Sequence, residues 1–172
     1  SLEQTYQFVT ALSNLSFTQW ALKKYREALQ SIYKMRGIQT KSTSLKAKIF
    51  TYSYNNELII LTQIGEFESA LKLIEEVVDG LQRYDKLITH NYKTLLYYNI
   101  ADVYFGVGQY NNALPWLNKI INDTESNLRE DIKSFARIVN LIVHYELNNR
   151  ELLEYIILST TRFLSKKQKL FK

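Results

Sequence analysis

Gly65-Glu66-Phe67-Glu68-Ser69-Ala70-Leu71 and, 43 residues further on, Gly108-Gln109-Tyr110-Asn111-Asn112-Ala113-Leu114 are two copies of one pattern. The glycine, the aromatic residue two places later and the Ala-Leu pair coincide. Each copy stands between runs whose apolar residues recur at helical spacing. Glycine there ends one helix and relaxes the turn before the next. The pair predicts helix–turn–helix units in series.

Composition agrees. The 172 residues include five glycines and one proline, while 46% are hydrophobic. Strands and turns need Gly and Pro, and long helices exclude them. An all-α chain of one domain, residues 1–172, with a continuous apolar core is the expectation. No run of 18 apolar residues is present to span a bilayer, and the sequence shows no signal-peptide pattern, so the cytoplasm is the expected location. Ser1 is not an initiator Met, so the chain reads as a fragment of a longer one.

Working outward from the two glycines, helices are predicted from about Ser44, a plausible N-cap, to Ile64, from Phe67 to at least Val78, and from Asp85 to Phe105. The next runs from about Asn111 to Ile121. It contains Pro115, which lacks an amide donor and predicts a late start or a kink. Asn127 and Glu130 resemble a capping box for a helix ending near Leu147. Asn148 and Asn149 turn the chain into a last helix from Glu151 to Lys167. The N-terminal segment offers two registers. Tyr25 and Ala28 copy the spacing of Phe67 and Ala70. Against this, Ser16 and Gln19 form an S-x-x-Q capping box, with Leu15 and Trp20 placed as a hydrophobic staple. The capping box has a local mechanism, so it predicts a helix over 17–36, stopped by Gly37, with a shorter helix before it carrying Leu2, Tyr6, Val9 and Leu12.

Residues 94–127 add Tyr97, Ala101 and Tyr104 to the Gly108, Tyr110 and Ala113 of the turn. In this the chain resembles the tetratricopeptide repeats, a divergent array with longer repeats than the family's usual length of about 34. Ala101 and Ala113 allow two helices close approach, and Tyr104 and Tyr110 fill the space between hairpins. Residues 51–84 keep Ala70 but have Leu58 at the other small position. Residues 134–165 have Asn148 for the glycine and Leu153 for the alanine. The resemblance implies seven or eight helices in antiparallel hairpins, stacked as a right-handed superhelix. It also implies a concave groove lined by the first helix of each pair: Tyr52, Asn55 and Ile59, then Tyr98, Asp102 and Phe105, then Ile142 and Tyr145. Each set lies on one helical stripe. The Lys and Asn set that clamps a terminal carboxylate in some relatives is missing, and Asp102 has the wrong charge for it.

The function implied is a scaffold that binds a protein or peptide. The alternative is a regulatory domain that senses a ligand or peptide for a missing effector. Neither needs a cofactor, and none is expected. No phosphate-binding loop, zinc motif or nucleophile elbow occurs, there are no cysteines, and His90 and His144 are far apart in sequence, so an enzyme is not expected. The net charge of +5 resolves into two basic patches around an acidic middle. Residues 1–48 hold eight Lys or Arg against Glu3 and Glu27, residues 49–90 hold seven acids against three bases, and 165–172 hold four lysines. A nucleic-acid binder shows a continuous basic stripe, so nucleic acid is not an expected partner.

The last hairpin is unusual. Residues 135–145 are apolar around most of the helix, with Arg137, Asn140 and His144 as the polar stripe. Leu152, Tyr155, Ile156 and Phe163 follow on the next helix. A terminal repeat should present a polar outer face. This pattern predicts that the hairpin is covered by further helices, a partner, or a second copy through self-association, with Leu170 and Phe171 starting an onward contact.

Overall fold

The computed structural model describes residues 1–124 and 129–168. Among these every regular element is helical: α1 (Leu2–Ala21), α2 (Tyr25–Arg36), α3 (Thr43–Gln63), α4 (Phe67–Leu71), α5 (Ile74–Arg83), α6 (His90–Gly106), α7 (Tyr110–Ile121), α8 (Glu130–Glu146) and α9 (Arg150–Gln168). The short α4 and α5 form one arm, tightened at Lys72–Leu73, where the Leu73 amide donates to the Ala70 carbonyl at 3.0 Å. Eight arms thus make four helical hairpins. Asn127, read as a cap, and Lys169 to Lys172, including Leu170 and Phe171, lie outside the described residues.

One turn geometry serves all four hairpins. Lys23, Gly65, Gly108 and Asn148 have positive φ, between 56° and 80°. The next residue's amide reaches back to the carbonyl five positions earlier: Lys24 to Gln19, Glu66 to Leu61 and Gln109 to Tyr104 at 2.8 Å, and Asn149 to His144 at 3.0 Å. This is the Schellman ending, which satisfies carbonyls left open by the last helical turn. The spacing of 42, 43 and 40 residues defines the repeat.

The N-terminal register is the one that Tyr25 and Ala28 copy, and the capping-box prediction is overturned. α1 runs unbroken through Ser16, which is fully buried. Ser16 stands seven residues before Lys23, as Leu58 does before Gly65 and Ala101 before Gly108, so it occupies the small position at a helix crossing. Its hydroxyl donates to the Ser13 carbonyl at 2.9 Å and accepts from Asn56 at 2.7 Å. Gln19 accepts from Ser31 at 2.8 Å instead of capping. The supposed staple is absent too: Leu15 is exposed, and Trp20 packs on Phe17 with ring centroids 5.0 Å apart.

Smaller boundaries also move. Ser42, not Ser44, caps α3, accepting from the Leu45 amide at 3.3 Å. α6 begins at His90, not Asp85; Tyr84 to Thr89 form a turn that buries Ile88. α2 ends at Arg36 as read, but Gly37 is right-handed at φ −69°. α7 begins at Tyr110, and Pro115 lies inside it with an exposed ring, so the lost hydrogen bond falls on the solvent side.

The chain divides into two compact units, residues 1–93 and 94–172. In the first, Ala28 is buried with Ile32 and Ile60 where α2 meets α3, and Val9 and Leu12 pack with Met35, Leu45 and Ile49. Gly80 lies inside α5, not at its end. A Cβ there would sit 2.0 Å from the Phe50 ring, so this approach needs glycine. In the second unit Ala101 and Ala113 are buried among Leu117, Ile120, Ile132, Ala136 and Val143. Burying each large side chain contributes about 1.5–3 kcal/mol.

Candidate functional site

The candidate groove residues fall on the first helix of their hairpins. On α3, Tyr52 is half-buried, with its ring 5.2 Å from that of Tyr92 and Lys48 Nζ 5.4 Å over its face. These line a cavity of about 280 Å³ with Tyr6, Ser44 and Leu87. Burial, then the neighbouring Tyr52, pushes the Tyr92 hydroxyl up to about 12. Asn55, one turn on, is 7% exposed and donates to Asn56 at 3.3 Å. Its amide serves the interior more than a surface. Ile59 is half-buried beside Trp20 and Phe17.

On α6, Tyr98, Asp102 and Phe105 are each half-buried along one stripe. Tyr98 resists ionisation, first because it is buried and second because Asp102 lies beside it. The Phe105 ring meets Tyr110 at 5.7 Å across the turn. On α8, Ile142 and Tyr145 are exposed, and Phe135 and Ile138 extend the same stripe toward solvent.

Sequence reasoning passed over a second feature. Glu57 is 4% exposed on α3, and its carboxylate meets the Arg36 guanidinium of α2 at 2.5 Å. Tyr33 donates to the same carboxylate at 3.2 Å, and Arg36 Nε donates to Ser53 at 3.1 Å. The guanidinium stacks 3.8 Å over the Tyr54 ring. Burial and a hydrogen bond to Glu76 keep Tyr54 protonated well above its ordinary range. A cavity of about 340 Å³ opens here, lined by Arg36, Lys46 and Arg83 against Glu76 and Asp79. Arg36 is already paired with Glu57, which leaves Lys46 and Arg83 facing Glu76 and Asp79. The signal that could have found the pair is the repeat register, which places Glu57 on the buried side of α3.

Among the described residues, no three His, Asp or Glu side chains gather to hold a metal ion, and no helix is long and apolar enough to cross a membrane. No curated protein and no solved structure matches the chain. A family model does: residues 95–122, from α6 through α7, match the tetratricopeptide repeat. With that match and four hairpins of one turn geometry, the chain is related to the tetratricopeptide repeats.

Proposed function

We propose that the chain is a binding module for another protein or a peptide, and that the first-helix face of the third hairpin makes the contact. Tetratricopeptide repeats generally mediate protein–protein interaction, and the matched segment holds Tyr98, Asp102 and Phe105. The observation that carries the proposal is this half-buried stripe. It combines two aromatic faces, which contribute area at low entropic cost, with one carboxylate. Such a stripe suits an extended peptide with a basic side chain facing Asp102. Tyr52 and Ile59 on α3, and Ile142 and Tyr145 on α8, are the further contacts proposed.

The test is a peptide selected from a random library on the intact chain. Tyr98→Ala is expected to weaken it at least tenfold while the helical circular dichroism and melting temperature hold. Peptide-induced chemical-shift changes confined to residues 66–79 and 151–164 would place the contact on second-helix surfaces and refute the assignment.

A second reading concerns self-association. Phe135, Ile138, Ile142 and Tyr145 on α8, and Leu152, Tyr155, Ile157 and Leu158 on α9, are all more than a third exposed. An exposed apolar stripe such as that on α8 marks an interface. Ile156 and Phe163, also expected to be uncovered, are half-buried. Sedimentation velocity is expected to show a mass that rises with concentration, and Phe135→Lys with Tyr145→Lys to abolish the rise. A strict monomer at all concentrations would rule this reading out.

A further inference from the structure

The helix α8 packs Ile132, Ala136 and Val143 into the core and leaves the stripe of Phe135, Ile138, Ile142 and Tyr145 to solvent. Arg137, Asn140 and His144 lie on a further face that is also turned inward, with Asn140 only 8% exposed. These three line a cavity of about 390 Å³ bounded by α7, α8 and α9, together with Asn118, Tyr155 and Ser159. Two buried polar atoms there have no partner: Arg137 Nε and Asn140 Oδ1. Native proteins rarely leave such atoms unpaired. Arg137 is nonetheless held in place. Its guanidinium lies 4.5 Å over the Phe163 ring, and Nη1 donates to Ser159 at 3.4 Å. No carboxylate among the described residues pairs with it.

The second hairpin shows what belongs in this place. Asn140 stands eight residues before Asn148, the positive-φ residue of its turn; Glu57 stands eight before Gly65. There the carboxylate of Glu57 is closed off by Arg36 and Tyr33, and the guanidinium lies over an aromatic ring. Counted forward from the preceding turns at Lys23 and Gly108, Ile121 replaces Arg36 and Asn118 replaces Tyr33; counted back from Gly65 and Asn148, Arg137 replaces Tyr54. The cation has moved from the preceding second helix to α8 and still stacks on a ring. The carboxylate is gone, and the volume is open.

We propose that the cavity between α7, α8 and α9 binds a monocarboxylate bearing a hydrogen-bond donor next to the carboxylate, taken from a small hydroxy acid or from the end of a peptide chain. The carboxylate pairs with Arg137, and the adjacent O–H or N–H donates to Asn140 Oδ1. A single charge is set by the lining. Burial holds His144 below the ordinary histidine range, and Asn149 donates to its Nδ1 at 3.0 Å, so Arg137 is the one cation among the described lining residues. A phosphate dianion would keep an unmatched charge. The volume lies at the small end of the range for small-molecule sites. Arg137, Asn140 and His144 lie on the face of α8 away from Ile142 and Tyr145, so this site is independent of the Tyr98 stripe.

The experiment is an NMR titration of the intact ¹⁵N-labelled chain, following Arg137 Nε–H and the Asn140 side-chain amide. The probes are lactate, acetate, lactamide, triglycine, triglycine amide and inorganic phosphate. Saturable shifts are expected with lactate or triglycine, several-fold weaker with acetate, and absent with the two amides. Tighter binding of lactate than triglycine assigns the source as a small acid, and the reverse assigns a chain end. Arg137→Gln is expected to lose at least tenfold in affinity. Asn140→Asp places a carboxylate where Glu57 stands in the second hairpin. It is expected to melt at a higher temperature and to lose the lactate and triglycine responses. No saturable carboxylate response, amides that bind equally, phosphate bound more tightly than lactate and triglycine, or Asn140→Asp binding these acids as the parent does would each overturn the proposal.

Discussion

Replacing Arg36 by Met is expected to destabilise the chain by about 3 kcal/mol, the lower end of the range for breaking a buried ion pair from one side. The two partners are unequally covered: the Arg36 side chain is 23% exposed and that of Glu57 only 5%. Methionine would fill much of the same space over Tyr54 but leave a buried carboxylate with Tyr33 as its remaining donor from α2 among the described residues. The penalty is desolvation left uncompensated, so it should vanish when the charge goes too. Arg36→Met with Glu57→Leu is therefore expected to recover most of the loss, since well-packed apolar pairs replace buried ion pairs at little net cost. Urea unfolding of the parent, both single variants and the double variant measures the cycle. A single Arg36→Met variant within about 0.5 kcal/mol of the parent, the range of ordinary surface changes, would mean that the pair does not hold α2 to α3.

Ala113→Leu is expected to cost about 1–3 kcal/mol through overpacking. Ala113 is fully buried on α7 among Ala101, Leu117, Ile120 and Ala136, and three added carbons have nowhere to go. Ala101→Leu, on the facing helix, should cost a similar amount. Asn112, the preceding residue, is exposed, so Asn112→Leu serves as the control and should stay within about 0.5 kcal/mol. Thermal melts of the three variants decide it. Equal melting temperatures for Ala113→Leu and the parent would mean that the crossing lies elsewhere on α7.

The two glycine turns and the alanines beside them were legible because their mechanism is local. A residue that must adopt positive φ is most cheaply glycine, and a position where two backbones meet is most cheaply alanine. Lys23 was not legible for the same reason. It takes φ 58° at a cost of about 1–2 kcal/mol, which nothing in its own chemistry announces. The groove stripes were carried over, position by position, from the resemblance to the tetratricopeptide repeats. That placed each set on one helix, but not the burial of Asn55 against the exposure of Tyr145.

Sequence by itself determined that this protein is all-α, that its helices pair as hairpins, and where three of the four turns fall. Tertiary structure decided the first turn, the partner of Glu57 and the direction in which α8 faces. Ser16 and Gln19 form a sound capping box, but such a cap stabilises by about 1 kcal/mol. Burying Val9, Leu12, Ile32 and Met35 together contributes several times that, so α1 runs through Ser16 and uses its small side chain at the crossing. The polar stripe of Arg137, Asn140 and His144 was visible in the sequence as a stripe. Which side of it met water depended on what α7 and α9 placed opposite, because a helix has two faces and its neighbours choose between them.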